Sequence, residues 1–73
     1  MEKIYRLQNL DCANCAAKME RKIAKITGVI SVSVNFMAQK MILELDENNF
    51  EEIKKQVVTI CKKIEPDCQI LGI

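Results

Sequence analysis

Val29-Ile30-Ser31-Val32-Ser33-Val34-Asn35-Phe36 alternates apolar and polar side chains from Ile30 onward. A period of two sends successive side chains to opposite faces of a strand. Ile30, Val32, Val34 and Phe36 are therefore expected to face a core, with Ser31, Ser33 and Asn35 facing away. Met37-Ala38-Gln39 reads as a turn, and beyond it Met41, Leu43 and Leu45 alternate with Lys40, Ile42 and Glu44. The two runs form a hairpin.

On the N-terminal side, Gly28 is placed to end a helix over about residues 13–26. Met19, Ile23 and Ile26 recur along it at helical spacing, and Lys18, Arg21, Lys22 and Lys25 cover its outer side. Residues 2–8 read as a strand with Tyr5 and Leu7 on one face and Arg6 and Gln8 on the other. On the C-terminal side, Asn48 or Asn49 can cap a second helix carrying the apolar stripe Phe50, Ile53, Val57, Ile60, Cys61 and Ile64. Pro66 stops that helix, and residues 67–73 give a last short strand with Ile70 inward. The order is βαββαβ. It suits an α+β, ferredoxin-like sandwich: one four-stranded antiparallel sheet with both helices on one face. At 73 residues the chain has room for a single domain, residues 1–73, with a thin core.

That topology brings three segments to one end: residues 9–15, the hairpin at 36–39 and the turn at 64–68. The fourth strand is expected beside the first, which makes the 64–68 turn a closer neighbour of the 9–15 loop than the hairpin. Glu65, Asp67 and Cys68 then approach Cys12 and Cys15 from far along the chain. The opposite end carries Asp46, Glu47, Glu51 and Glu52 and no sulfur.

Cys12 and Cys15 stand where strand gives way to helix, in Leu10-Asp11-Cys12-Ala13-Asn14-Cys15-Ala16-Ala17-Lys18. Two intervening residues let a turn bring both sulfurs onto one ion. Cys15 falls in the first helical turn, where unpaired N–H groups and the positive end of the helix dipole favour a thiolate, and Lys18 adds positive charge nearby. Asp11 offers a carboxylate to an ion that wants more than two sulfurs, or else it caps the helix. Glu65 is a candidate supplementary oxygen donor. Cys68 is either a third thiolate or a packed strand residue. Cys61 reads as core, as do Met19 and Met41, and Met37 lies too far across the sheet to ligate.

Composition removes other classes of function. Eleven basic against ten acidic residues give a net charge of +1, without the positive field of a nucleic-acid binder. Tyr5, Phe36 and Phe50 are too few aromatics for base stacking. No apolar run approaches the roughly 20 residues that span a bilayer, and no signal-peptide pattern opens the chain, so a cytoplasmic location is expected. Cysteine spacings of 2, 45 and 6 residues, without a secretion signal, argue against a disulfide scaffold. Histidine is absent, so a metal site must be built from sulfur and oxygen.

The run LDCANCAAKMERKIAKITGV followed by SVSVNFMAQKMILEL resembles the heavy-metal-associated domain of metal-transporting P-type ATPases, free copper chaperones and mercuric reductase. The resemblance covers essentially the whole chain. The family opening GMxCxxC is replaced by Asn9-Leu10-Asp11-Cys12, where Leu10 can serve as the apolar plug beneath the loop and Asn9 can take the backbone shape usually given to glycine. The resemblance also implies an ion. Serine or threonine before the first cysteine is common in copper(I) domains, whereas aspartate resembles the zinc, cadmium and lead exporters. A lysine is usual in the last turn of free copper chaperones, and here that turn reads Ile64-Glu65-Pro66-Asp67-Cys68.

The expected function is capture of Zn2+, Cd2+ or Pb2+ by Cys12, Cys15 and Asp11 in the N-terminal domain of an exporting ATPase. The domain itself is not an enzyme, and its expected partners are the ion and the other domains of the transporter. It is expected to be monomeric without metal, with a metal-bridged dimer as the other state. A Cu+ chaperone, or the metal-binding domain of a copper ATPase, is the alternative within the family. A thiol–disulfide redox module is the alternative from another class, although the aromatic and proline flanks of that motif are missing. Lys18, Arg21, Lys22 and Lys25 are either a solvated face or a docking surface for an acidic partner.

Overall fold

A computed structural model describes residues 1–72. The elements are β1 (Glu2–Gln8), α1 (Ala13–Ala24), β2 (Val29–Asn35), β3 (Lys40–Leu45), a 3-10 turn (Glu47–Asn49), α2 (Phe50–Ile64) and β4 (Gln69–Leu71). The strands form one sheet in the order β2-β3-β1-β4, with every neighbouring pair antiparallel. Both helices pack against the sheet face that carries Tyr5, Leu7, Met41, Leu43 and Leu45, to which α1 adds Ala16, Met19 and Ile23, and α2 adds Ile53, Val57 and Cys61. This is the ferredoxin-like arrangement that the apolar periodicities predict.

Four local departures have physical causes. Ile30 does not join the inward row of β2: Val29 pairs with Leu45 and Ser31 with Glu44, so Ile30 is the extra residue of a β-bulge. It is left 67% exposed, and Val29 takes the half-buried place. Two residues on a bulged strand oppose one on its partner, which shifts the pleat by one without disturbing the written alternation. Helix α1 ends at Ala24 and not near residue 26; Ile26 stays buried in the turn that follows. Gly28 forms that turn with φ of 99°, and a Cβ there would lie 2.8 Å from Cδ1 of Ile53, so space and backbone both call for glycine.

Neither Asn48 nor Asn49 supplies the side-chain cap before α2. The carboxylate of Asp46 accepts from the Asn48 N–H at 3.0 Å, and Asn49 makes no such bond, because the chain enters α2 through the 3-10 turn. The last strand is only Gln69–Leu71; Cys68 precedes it, and residue 73 of the expected strand lies outside the described residues. At the other edge of the sheet, the Val34 N–H of β2 donates to Oε2 of Glu20, reaching over from α1, at 3.2 Å.

Candidate metal centre

The loop between β1 and α1 is shaped by Asn9, which has φ of 63°. Asparagine tolerates this left-handed conformation better than most residues, so it takes the place expected for it. Leu10 follows and is 2% exposed, plugged into the core beneath the loop.

Gln39, the last residue of the hairpin turn, holds this loop from the hairpin. It too has positive φ, 53°. Its Nε2 donates to the carbonyls of Leu10 at 2.7 Å and Phe36 at 2.8 Å, and its Oε1 accepts from the Leu10 N–H at 3.2 Å. The Leu7 N–H donates to the Gln39 carbonyl at 2.8 Å. One amide thus satisfies both main-chain groups of the plug residue. The hairpin is as much a neighbour of the loop as the 64–68 turn is, because β1 lies between β3 and β4. Nothing in the apolar periodicity marks Gln39; its reach spans 29 residues.

Cys12 is the N-cap of α1. Its backbone is extended, and its sulfur accepts from the Cys15 N–H at 3.2 Å. The capping role open to Asp11 therefore belongs to its neighbour, and Asp11 is exposed beside it. Both cysteines are free and half-buried. Hydrogen bonds from the Cys15 thiol and N–H hold the Cys12 thiol below its ordinary range. The Cys15 thiol is pushed up, first by that same hydrogen bond to Cys12, then by burial and by the charges of Cys12 and Glu65; Lys18 pulls only weakly the other way. The cap position thus favours the charged form at Cys12 over Cys15. The helix end stabilises the sulfur that receives its N–H groups.

Glu65 arrives as expected, with Oε2 3.9 Å from the Cys15 sulfur. It sits at the end of α2, its N–H bonded to the Cys61 carbonyl at 2.9 Å and its carbonyl accepting from the Cys68 N–H at 3.0 Å. Cys68 is 2% exposed and belongs to the core cluster, its sulfur 4.0 Å from the Gln69 carbonyl. Burial pushes its thiol up, and Glu65 and Asp11 add to the shift, so it lies beneath the same end of the molecule. Cys61 is buried in the core as expected, its thiol pushed up to about 12 mainly by burial. Met19 and Met41 are buried too, and Met37 is exposed. Lys18, Arg21, Lys22 and Lys25 line one shallow exposed depression on α1. Among the described residues, no group of three or more cysteine, aspartate or glutamate side chains is gathered closely enough to hold an ion as the chain stands. The site presents two thiols with a carboxylate just beyond.

A family model described as the heavy-metal-associated domain matches residues 4–65. The chain is 38% identical over 64 residues to a cadmium-transporting ATPase of Staphylococcus aureus, covering 88% of this chain and 9% of that one. It is 34% identical over 62 residues to a cadmium, zinc and cobalt-transporting ATPase of Bacillus subtilis, covering 85% and 9%. The chain thus spans only 9% of the length of these relatives. Among solved structures, a CopZ metallochaperone superposes with a TM-score of 0.72 at 16% identity, over 97% of this chain and 100% of that one. CopA from Bacillus subtilis superposes with a TM-score of 0.70 at 18% identity, over 100% and 93%. At those identities the likeness is one of fold.

Proposed function

Because the chain belongs to the heavy-metal-associated domain family, we propose that it captures zinc, cadmium or lead through Cys12 and Cys15, with Asp11 and Glu65 as oxygen donors. In this reading it is the cytosolic metal-binding domain of a larger exporting P-type ATPase. The relatives named for cadmium and zinc transport support the ion class. ATP hydrolysis would belong to the rest of such a protein, and the chain's own residues supply binding.

The observation that carries the reading is the carboxylate oxygen of Glu65, 3.9 Å from the Cys15 sulfur. Zinc–sulfur and zinc–oxygen bonds of about 2.3 and 2.1 Å at a tetrahedral angle put the two donor atoms about 3.6 Å apart. A contraction of a few tenths of an ångström would let both serve one ion. Cys12, already the more acidic thiol, supplies the first bond, and ion binding displaces the proton of Cys15. Asp11, exposed beside Cys12, is the remaining donor within reach, and Cys68 is left out because it is packed in the core. An ion held by a few ligands on a surface loop can be handed on by replacing them one at a time.

Copper(I) is the second reading. It needs only the two sulfurs, and among the described residues no group of three cysteine, aspartate or glutamate side chains is gathered closely enough to hold an ion as the chain stands. Competition titrations for zinc and copper(I) separate the two. Asp11→Ala and Glu65→Ala should each weaken zinc by about tenfold, which corresponds to about 1.4 kcal/mol, and leave copper(I) nearly unchanged. Equal effects on both ions, or none on zinc in the double variant, would move the assignment to copper(I).

A further inference from the structure

The sheet face turned away from the helices carries a pattern that the metal site does not use. Three cross-strand pairs between the central strands β1 and β3 lie on it: Glu2 opposite Glu44, Ile4 opposite Ile42, and Arg6 opposite Lys40. β2 extends these rows, with Ser31 beside Glu44, Ser33 beside Ile42 and Asn35 beside Lys40. The face is thereby ruled across the strands into an acidic, an apolar and a basic row, each about 7 Å from the next. Ile4 is 61% exposed and Ile42 42%, and exposed Leu71 adjoins Arg6.

Like charges directly opposite one another destabilise an antiparallel pair, and this face holds two such pairs. The ion pair found among the described residues, Lys54 with Glu51, lies on α2. Among the described residues, no ion pair neutralises either charged row. An acidic partner would answer the basic row and repel the acidic one, and a basic partner would do the reverse.

We propose that a second copy of this chain covers the face, sheet against sheet, about a two-fold axis running along the Ile4–Ile42 row. Rotation about that axis keeps β1 on β1 and β3 on β3 but reverses strand direction. Glu2 and Glu44 of one copy then meet Arg6 and Lys40 of the other, while Ile4 and Ile42 meet their own counterparts. A two-fold axis along the strands would set acid on acid, so the charges select one packing of the two. Aligned sheets pack in this way about 10 Å apart. Because the strands run in opposite directions across the interface, the two Cys12–Cys15 loops lie at opposite ends of the dimer and stay open to solvent. This association needs no metal, unlike the metal-bridged pair expected from the sequence. With so few apolar side chains it belongs to the weak, transient class of interfaces.

Sedimentation equilibrium of the reduced chain with chelator present, from about 10 µM to about 1 mM, tests it. The expected result is a concentration-dependent monomer–dimer equilibrium. Glu2→Lys with Glu44→Lys makes both charged rows positive, and Arg6→Glu with Lys40→Glu makes both negative. Each double variant should raise the dimer dissociation constant by at least about tenfold, and an equimolar mixture of the two should regain association as a heterodimer. Circular dichroism and thermal melts should show both variants folded, since all four side chains lie on the solvent side of the sheet. A chain monomeric at every concentration would overturn the proposal. So would a dimer indifferent to both double substitutions, a mixture that stays monomeric, or a dimer that forms only with metal and is lost in Cys12→Ser.

Discussion

Cys12 and Cys15 sit three residues apart, yet the helix treats them differently: one sulfur accepts the Cys15 N–H, and the other lies against the Glu65 carboxylate. Iodoacetamide followed by mass spectrometry should therefore label Cys12 before Cys15 in the metal-free chain at neutral pH. Faster labelling of Cys15 would contradict the cap assignment. Replacing either by serine should abolish tight ion binding in a chelator competition while the melting temperature stays close to that of the parent, because both side chains are only half-buried. The pair itself was legible from spacing and from its place before a helix, as were Asn9 and Leu10 beneath it. Which sulfur caps the helix was not legible. Asp11 is the stronger capping residue by type, and only the backbone, with Cys12 extended and Ala13 already helical, shows that the chain turns one residue later.

Elements were readable wherever burial follows a regular period and unreadable where one residue breaks it. The alternation in β2 survives on paper through Ile30 because a bulge removes a residue from the pleat without changing the order of polar and apolar letters. Only the pairing of Val29 and Ser31 with consecutive residues of β3 reveals it. The hairpin was plain from its two alternating runs, but the use made of its last turn residue was not. Gln39→Ala removes three side-chain hydrogen bonds, two of them to Leu10. Loss of about 1–3 kcal/mol in denaturant unfolding is expected, since the main-chain groups of a buried residue lose their partner. Hydrogen exchange at Leu10 should quicken by more than that at Leu43, in the middle of the sheet. Uniform acceleration across the domain would show that the amide supports the fold as a whole and not the loop.

At the scale of the whole molecule, stability should fall in alkali. Cys61 has its thiol raised from 9.0 to about 12, so the native state holds a proton that the unfolded chain releases. That contribution is complete below about pH 9 and is lost as pH rises toward about 12, with a slope of at most about 1.4 kcal/mol per pH unit. Urea melts at pH 8 and about pH 10.5 should show the loss, and Cys61→Val should reduce it; an undiminished loss in that variant would place its origin elsewhere. The contact between Glu20 and Val34 has its consequence at this scale as well. β2 is an outer strand, and an outer strand with open N–H groups is a template for amyloid-like addition of foreign chains. Here the Glu20 carboxylate occupies the Val34 N–H, and the bulge at Ile30 breaks the line of the edge further along. An agitated Glu20→Ala sample should develop thioflavin fluorescence sooner than the parent, which would make a helix side chain outside the metal loop the guard of this edge.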